Sequence, residues 1–495
     1  MINQLPVVVI GGGPVGLAAA AHLLARGLSP LVLEAGSSVG AGMLRWAHVR
    51  MFSPWEYTID QAAGRLLARH GWTAPDAAAF PTGGDVVEPY LRPLAAVPEL
   101  APHIRTGSRV LAVAKHQRDR MKNAQRNDVP FLVRFEDADG EHEVLAQAVI
   151  DASGTIESPN PLGASGIPAL GETRSQSQIF YGMPDVLGAQ RLRYAGKRIL
   201  VVGSGHSAFN VLSDLARLAD ESPNTTIHWA LRRPSLSRVL GGGDNDQLKE
   251  RGRLGMTIAR LVASGSISVH SGFQLNRLES TAAGLIAHSA ELSLPPVDEI
   301  VASTGFRPDT TLLSELRLSL DLGTQSPTAL APLIDPNLHS CGSVRPHGAE
   351  ELQHPDANLF IVGMKSYGRA PTFLLLTGYE QVRSVVAAIA GDWEAARRVE
   401  LVLPETGVCI TQFADEPEAN GTASASSCCG TQAAVIAAPT PAVANAAATG
   451  CCGGPPKADE TACCVRDEQA KSAGQSGCGC SAQPAPAASK TACCA

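Results

Sequence analysis

The chain of 495 residues is long enough for two or three domains, and its 44% hydrophobic and 18% charged content is that of ordinary globular cores. A formal net charge of -7 argues against a nucleic-acid partner, because phosphate backbones are gripped by basic faces. None of the 12 cysteines precedes Cys341 and ten follow residue 427, so no disulfide framework is expected in the body and a cytoplasmic setting is.

The chain starts almost directly in the strand-like Val7-Val8-Val9-Ile10, with no basic-then-apolar leader, and no apolar run reaches the roughly 18 residues of a membrane span. That strand runs into Gly11-Gly12-Gly13-Pro14-Val15-Gly16 and an Ala-rich helix. Gly11 permits the tight turn, Gly13 leaves room for a pyrophosphate, and Gly16 lets helix and strand pack closely. The helix start then offers unpaired N–H groups to the phosphates. The next strand, Leu31-Val32-Leu33, ends in Glu34, an acid placed to accept bonds from a ribose diol. Further on, Lys115 to Asp128 reads as a polar loop, and residues 129–150 alternate as a strand pair ending in Ala148-Val149-Ile150-Asp151.

A second strand–turn–helix opens at Arg198-Ile199-Leu200-Val201-Val202, with Gly203, Gly205 and Ala208 spaced as GxGxxA. The strand after it, Thr226 to Leu231, ends in Arg232-Arg233 instead of an acid. Arginines there suit a 2′-phosphate, so NADPH is expected in preference to NADH. His206 lies in this turn and is expected to cap or pack. His339, His347 and His354 are irregularly spaced around Cys341 and read as scattered surface residues. Leu359-Phe360-Ile361-Val362-Gly363 reads as a buried strand, followed by a helix-compatible run over about residues 372–390.

Two such folds in one chain, with an acid after the first and arginines after the second, resemble the two-dinucleotide-binding flavoproteins. These include flavin-containing and N-hydroxylating monooxygenases and thioredoxin-reductase-like enzymes. The resemblance spans residues 5–395 and takes in the segment around Gly154 and the one around Gly305, which look like the exits from the two nucleotide domains. It implies an α/β architecture in which a Rossmann-like NADPH domain is inserted into a Rossmann-like FAD domain. The expected divisions are 1–165 and 311–410 for the FAD halves and 166–310 for the NADPH domain. By resemblance, Trp46, Arg50 and Ser53 are candidate flavin-ring contacts, and Gly363 ends the last FAD strand. Three features depart from the relatives. The body has no CxxC, the region from Phe180 to Val186 has no histidine of the monooxygenase signature, and Gly363-Met364-Lys365 stands where many relatives carry Gly-Asp. Another group must therefore do that acid's work.

Residues 411–495 are rich in Ala, Ser, Gly, Thr and Pro, too poor in large aliphatics to offset the entropy of ordering, and are expected to be disordered unless bound. They hold Cys428-Cys429, Cys451-Cys452, Cys463-Cys464, Cys478-Gly479-Cys480 and Cys493-Cys494. Irregular spacers and the lack of histidine suit trivalent arsenic or antimony, Cu(I) or Hg(II) better than zinc. The expected function is an FAD- and NADPH-dependent oxidoreductase, a monooxygenase using molecular oxygen on a small soft nucleophile such as a trivalent arsenical. The resemblance to flavoproteins of arsenic-resistance operons points the same way. A reductase or oxidase serving thiols, a quinone or a metal is the alternative, and a non-catalytic metalloid-sequestering protein the third. No catalytic acid or base is identifiable.

Overall fold

The computed structural model describes residues 4–236, 239–240, 249–337, 344–370 and 373–401. The tail expectation, all twelve cysteines and His339 lie outside these residues.

The strand β1 (Val7–Ile10) is buried throughout and centres the first sheet. It pairs in parallel with β2 (Pro30–Leu33), which pairs with the short β3 (Ile104–Arg105). Before the sheet is completed, the chain makes an antiparallel three-stranded layer from β4 (Arg109–Lys115), β5 (Phe131–Asp137) and β6 (Gly140–Ala146). Then β7 (Ala148–Asp151) takes the other side of β1. The second sheet is wholly interposed: β8 (Ile179–Tyr181), β9 (Arg198–Val202), β10 (Thr226–Ala230), β11 (Ser268–His270) and β14 (Glu299–Ala302) pair in parallel in the order β11–β10–β9–β14–β8. The hairpin β12 (Arg277–Thr281) with β13 (Gly284–His288) lies between β11 and β14 in sequence. Finally β15 (Leu359–Ile361) returns to the first sheet beside β7, giving β15–β7–β1–β2–β3.

Strands buried on both faces must satisfy two different layers, and side-chain alternation does so here. Val7 and Val9 face a helical layer with α1 (Pro14–Ala25) and, from the far end of the chain, α5 (Leu375–Ile389). Val8 and Ile10 face Val113, Phe131 and Val133 of the antiparallel layer. The second sheet repeats the scheme. Ile199 and Val201 pack on α3 (His206–Glu221), while Leu200 and Val202 pack towards Leu278 and Leu285 of the hairpin. Two further helices, α2 (Gln61–Ala68) and α4 (Lys249–Ala263), complete the longer elements.

The two crossings between the sheets are clasped together. Asn160 Nδ2 donates to the Thr304 carbonyl at 3.0 Å, Thr304 Oγ1 donates to the Asn160 carbonyl at 2.7 Å, and Arg307 Nε donates to Asn160 Oδ1 at 2.8 Å. Among the described residues no helix is long and apolar enough to cross a membrane.

Candidate dinucleotide sites

The first glycine turn is built by close backbone approach. Gly11 has φ +100°, and a Cβ there would sit 2.8 Å from the Ala152 carbonyl oxygen. A Cβ on Gly16 would collide with the Gly11 carbonyl oxygen. Gly13 differs: it is the N-cap of α1, lacks a side chain to cap the first turn, and has no heavy atom within 4 Å of where its Cβ would be. Pro14 follows at the first helical position, where its missing N–H costs nothing. The result is an open cradle over free helix N–H groups, the shape and charge a pyrophosphate fits. Glu34 fixes the turn from the side. Its Oε2 accepts from Gly12 N at 2.6 Å and its Oε1 from Gly36 N at 2.7 Å. Each oxygen keeps a lone pair for a diol.

The second turn repeats these features. Gly203 has φ +133°, a Cβ on it would meet the Ser303 carbonyl oxygen, and Gly205, the N-cap of α3, opens onto free space. Trp229 Nε1 donates to the Gly203 carbonyl at 2.7 Å, and Ala208 is fully buried against the sheet. Both open glycines are therefore spaces that any other side chain would fill, and the residues present fit two dinucleotides.

A family model described as pyridine nucleotide-disulphide oxidoreductase matches residues 8–331. The chain belongs to that family. Its members are flavin- and NAD(P)-dependent oxidoreductases, and FAD and NADP(H) are the cofactors. Solved structures of similar fold include the bacillithiol disulfide reductase Bdr (YpdA) from Bacillus cereus, 20% identical, with a TM-score of 0.57, covering 78% of this chain and 99% of that one. The cadaverine monooxygenase DfoA from Erwinia amylovora, solved with FAD, is 15% identical with a TM-score of 0.56 over 82% of this chain and 99% of its own. The ornithine hydroxylase PvdA from Pseudomonas aeruginosa is 16% identical with a TM-score of 0.53, covering 78% of this chain and 99% of its own. No curated protein matches the chain.

Within this family fold, the other residues singled out from sequence are distributed as follows. Arg232 is exposed, and its NH1 donates to the Ala164 carbonyl at 3.2 Å, which holds it at the end of β10 beside the half-buried Arg233. Gly154, Gly305 and Gly363 all take positive φ, at +70°, +85° and +68°. The Trp46 ring lies under Gly83, where an added Cβ would come within 2.7 Å of it. Arg50 is exposed, with NH1 3.4 Å from the Phe80 carbonyl, and Ser53 is half-buried. Between them, Phe52 reaches the second turn: its ring stands edge-on to His206 at 5.2 Å, and His206 in turn meets Phe209 at 5.9 Å. His206, the first residue of α3, thus packs between Phe52 from the first sheet's half and Phe209 one turn further along its own helix. Nearby on α3, burial raises the Asp214 carboxyl above its ordinary range, against the pull of Arg217 and His48 and with help from Asp185.

Two histidines correct the sequence reading. His347 and His354 are buried, at 3% and 7% exposure, where a scattered surface placement was expected. His347 Nδ1 donates to the Arg345 carbonyl and its Nε2 accepts from Gln381 Nε2 at 2.9 Å, and burial lowers its pKa. His354 Nδ1 accepts from Ser319 N, and burial pushes its pKa down to about 4. Both are neutral partners inside the fold, and among the described residues no group of three or more His, Cys, Asp or Glu is placed to hold a metal.

Sequence reasoning missed the groups that hold Gly363. Gln381 Oε1 accepts from Gly363 N at 2.7 Å while Gln381 Nε2 donates to Ser366 Oγ. Gln381 sits eighteen residues further on in α5, a helix that buries several polar side chains, and as a fully buried amide it has partners to satisfy, but no local sequence pattern marks it.

Proposed function

We propose that this chain is an NADPH-dependent flavin monooxygenase acting on a small soft nucleophile such as a trivalent arsenical, with its C-terminal cysteines binding a thiophilic metal or metalloid. The observation that carries the reading is the pair of open glycine cradles with opposite charge beside them, Glu34 at the first and Arg232 and Arg233 at the second. FAD belongs at the first turn and NADPH at the second. When bound, FAD supplies two-electron acceptance from NADPH and the activation of oxygen. The chain's own contribution is to bind and aim. Residues 11–16 and 203–208 hold the two pyrophosphates, Glu34 orients a ribose, and the arginines receive a 2′-phosphate. One oxygen atom passes to the substrate and the other leaves as water, with NADPH providing both electrons. No protein thiol is needed for this, which suits a chain with no cysteine before Cys341. That same placement of cysteines supports a cytoplasmic location.

Purified protein should consume oxygen with NADPH and convert arsenite or a methylated arsenical to the pentavalent product. Hydrogen peroxide formed in step with NADPH, with the arsenical unchanged, would sink this reading. A second reading, NADPH-dependent reduction of disulfides, is favoured by the family description. Thiol release from an added disulfide under nitrogen would establish it.

Changing Arg232 and Arg233 to alanine should raise the KM for NADPH by about 10–100-fold, the worth of one or two charge-assisted bonds. The KM for NADH should scarcely move, and an equal rise for both coenzymes would remove the basis for preferring NADPH. Truncation after residue 410 should leave reduction of the flavin by NADPH intact and abolish binding of arsenite or Hg(II), followed by equilibrium dialysis. Retained binding would place the metal site elsewhere.

A further inference from the structure

The Gly363-Met364-Lys365 segment puts a cation where an acid is expected, and the structure shows where that cation goes. Lys365 is 2% exposed. Its Nζ donates to Asp151 Oδ2 at 2.7 Å and to Ser153 Oγ at 3.0 Å. Asp151 is fully buried at the end of β7, and its Oδ1 accepts from Ser153 Oγ at 2.7 Å and from Ser153 N at 3.1 Å. The three side chains form a closed polar triangle at the carboxyl ends of β7 and β15.

The position of the triangle matters more than its strength. Ala152, between Asp151 and Ser153, forms the wall against which Gly11 is pressed, since a Cβ on Gly11 would sit 2.8 Å from its carbonyl oxygen. Gly363, two residues before Lys365, faces the other side: a Cβ there would lie 3.3 Å from Val15 in the first turn of α1. Lys365 therefore ties together two adjacent strand exits on one side of the phosphate turn, that of β7 beside β1 and that of β15 beside β7. No other cation is hydrogen-bonded to Asp151 among the described residues.

We propose that Lys365 is a positioning residue for FAD, acting through Asp151 and Ser153 to hold the exits of β7 and β15 at the spacing the flavin nucleotide requires. The inference rests on FAD occupying the first glycine turn. Its effect is on the cradle and not on the second nucleotide, because residues 203–208 belong to a separate sheet.

The test is titration of flavin-stripped full-length protein with FAD, followed by fluorescence quenching, beside thermal unfolding of the stripped protein and NADPH binding. Lys365→Met should raise the FAD Kd by about tenfold or more, the loss of a charge-assisted bond, with the NADPH Kd unchanged. Because this variant leaves Asp151 buried without its cation and could fail to fold, Ser153→Ala serves as the second variant. It removes hydroxyl bonds without stranding a charge, and should weaken FAD by about threefold while the unfolding midpoint stays put. It should also alter the visible circular dichroism of the bound flavin. An FAD Kd unchanged in Ser153→Ala, with an unchanged flavin signal, overturns the proposal. So does a lower midpoint for Lys365→Met with normal FAD affinity. Wild-type protein that takes up no FAD would instead overturn the reading of the first turn itself.

Discussion

Gly16→Ala should give a protein that retains no flavin and is measurably less stable, whereas Gly13→Ala should lose flavin without losing stability. The contrast follows from what each new methyl group would meet. At position 16 it strikes the Gly11 carbonyl oxygen, a backbone atom that cannot rotate aside, and it stands 3.4 Å from Val9 in the central strand. Relief requires α1 to move off β1, and overpacking of this kind costs about 1–3 kcal/mol or more. The moved helix would carry its N–H groups away from the phosphate position, so FAD affinity should fall by about 100-fold or more. At position 13 the methyl group meets no protein atom within 4 Å, and the backbone φ of -80° suits any residue. The space it fills is the one assigned to the pyrophosphate. Flavin absorbance per chain and the unfolding midpoint of stripped protein, measured for both variants, check this. Full flavin content in Gly13→Ala would mean that the nucleotide does not cross the open face of the turn.

What could be read in the sequence was what is local. A strand, a glycine turn and a helix occupy some twenty consecutive residues, and their spacing is set by backbone contact, so residues 7–25 and 198–221 announce themselves. The acid at Glu34 and the arginines at 232 and 233 follow from the strand after each helix. The clasp at Asn160 and Arg307, the meeting of Phe52 with His206 and the bond from Gln381 to Gly363 join residues far apart in the chain and leave no periodic trace. His347 and His354 show the physical reason for the failure. A polar side chain is ordinarily placed at the surface by its type, yet it can lie inside wherever a partner satisfies it. Such partners are supplied by other elements, as Gln381 is to His347 and, at Nδ1 alone, the backbone of Ser319 is to His354, whose Nε2 is left without one among the described residues. Lys365 combines both difficulties, since its partner Asp151 lies 214 residues earlier.

Asp356→Asn should be among the most destabilising single changes outside the nucleotide turns, by about 3–5 kcal/mol, because it strands buried cations. Asp356 is 1% exposed and receives Arg126, itself 4% exposed, through two parallel bonds, Nε to Oδ1 at 2.6 Å and NH2 to Oδ2 at 2.8 Å. Arg317 N adds a third at 2.8 Å. Burial works to raise the Asp356 carboxyl, but the Arg126 and Arg317 bonds and the charges of Arg126 and Lys115 outweigh it and hold it below its ordinary range. A carboxyl depressed in the folded state contributes stability above its unfolded pKa and loses it as pH falls through the folded one. Lys115 makes the site more demanding. It is 3% exposed, lies 3.6 Å over the Phe131 ring, and is pushed down to about 8 by burial, with Asp356 pulling upward and Arg126 pushing further down. Between about 8 and its ordinary 10.5 the unfolded chain therefore binds more protons at Lys115 than the folded one, and stability should rise with pH across that window. Without the Asp356 charge, the Lys115 ammonium loses its attraction and titrates lower still, so in Asp356→Asn the rise should begin below pH 8. Urea unfolding of both proteins over pH 6–10 measures the two effects together. An Asp356→Asn variant within about 1 kcal/mol of the wild type, against the 3–5 expected for a broken buried pair, would mean that water reaches this cluster and screens it.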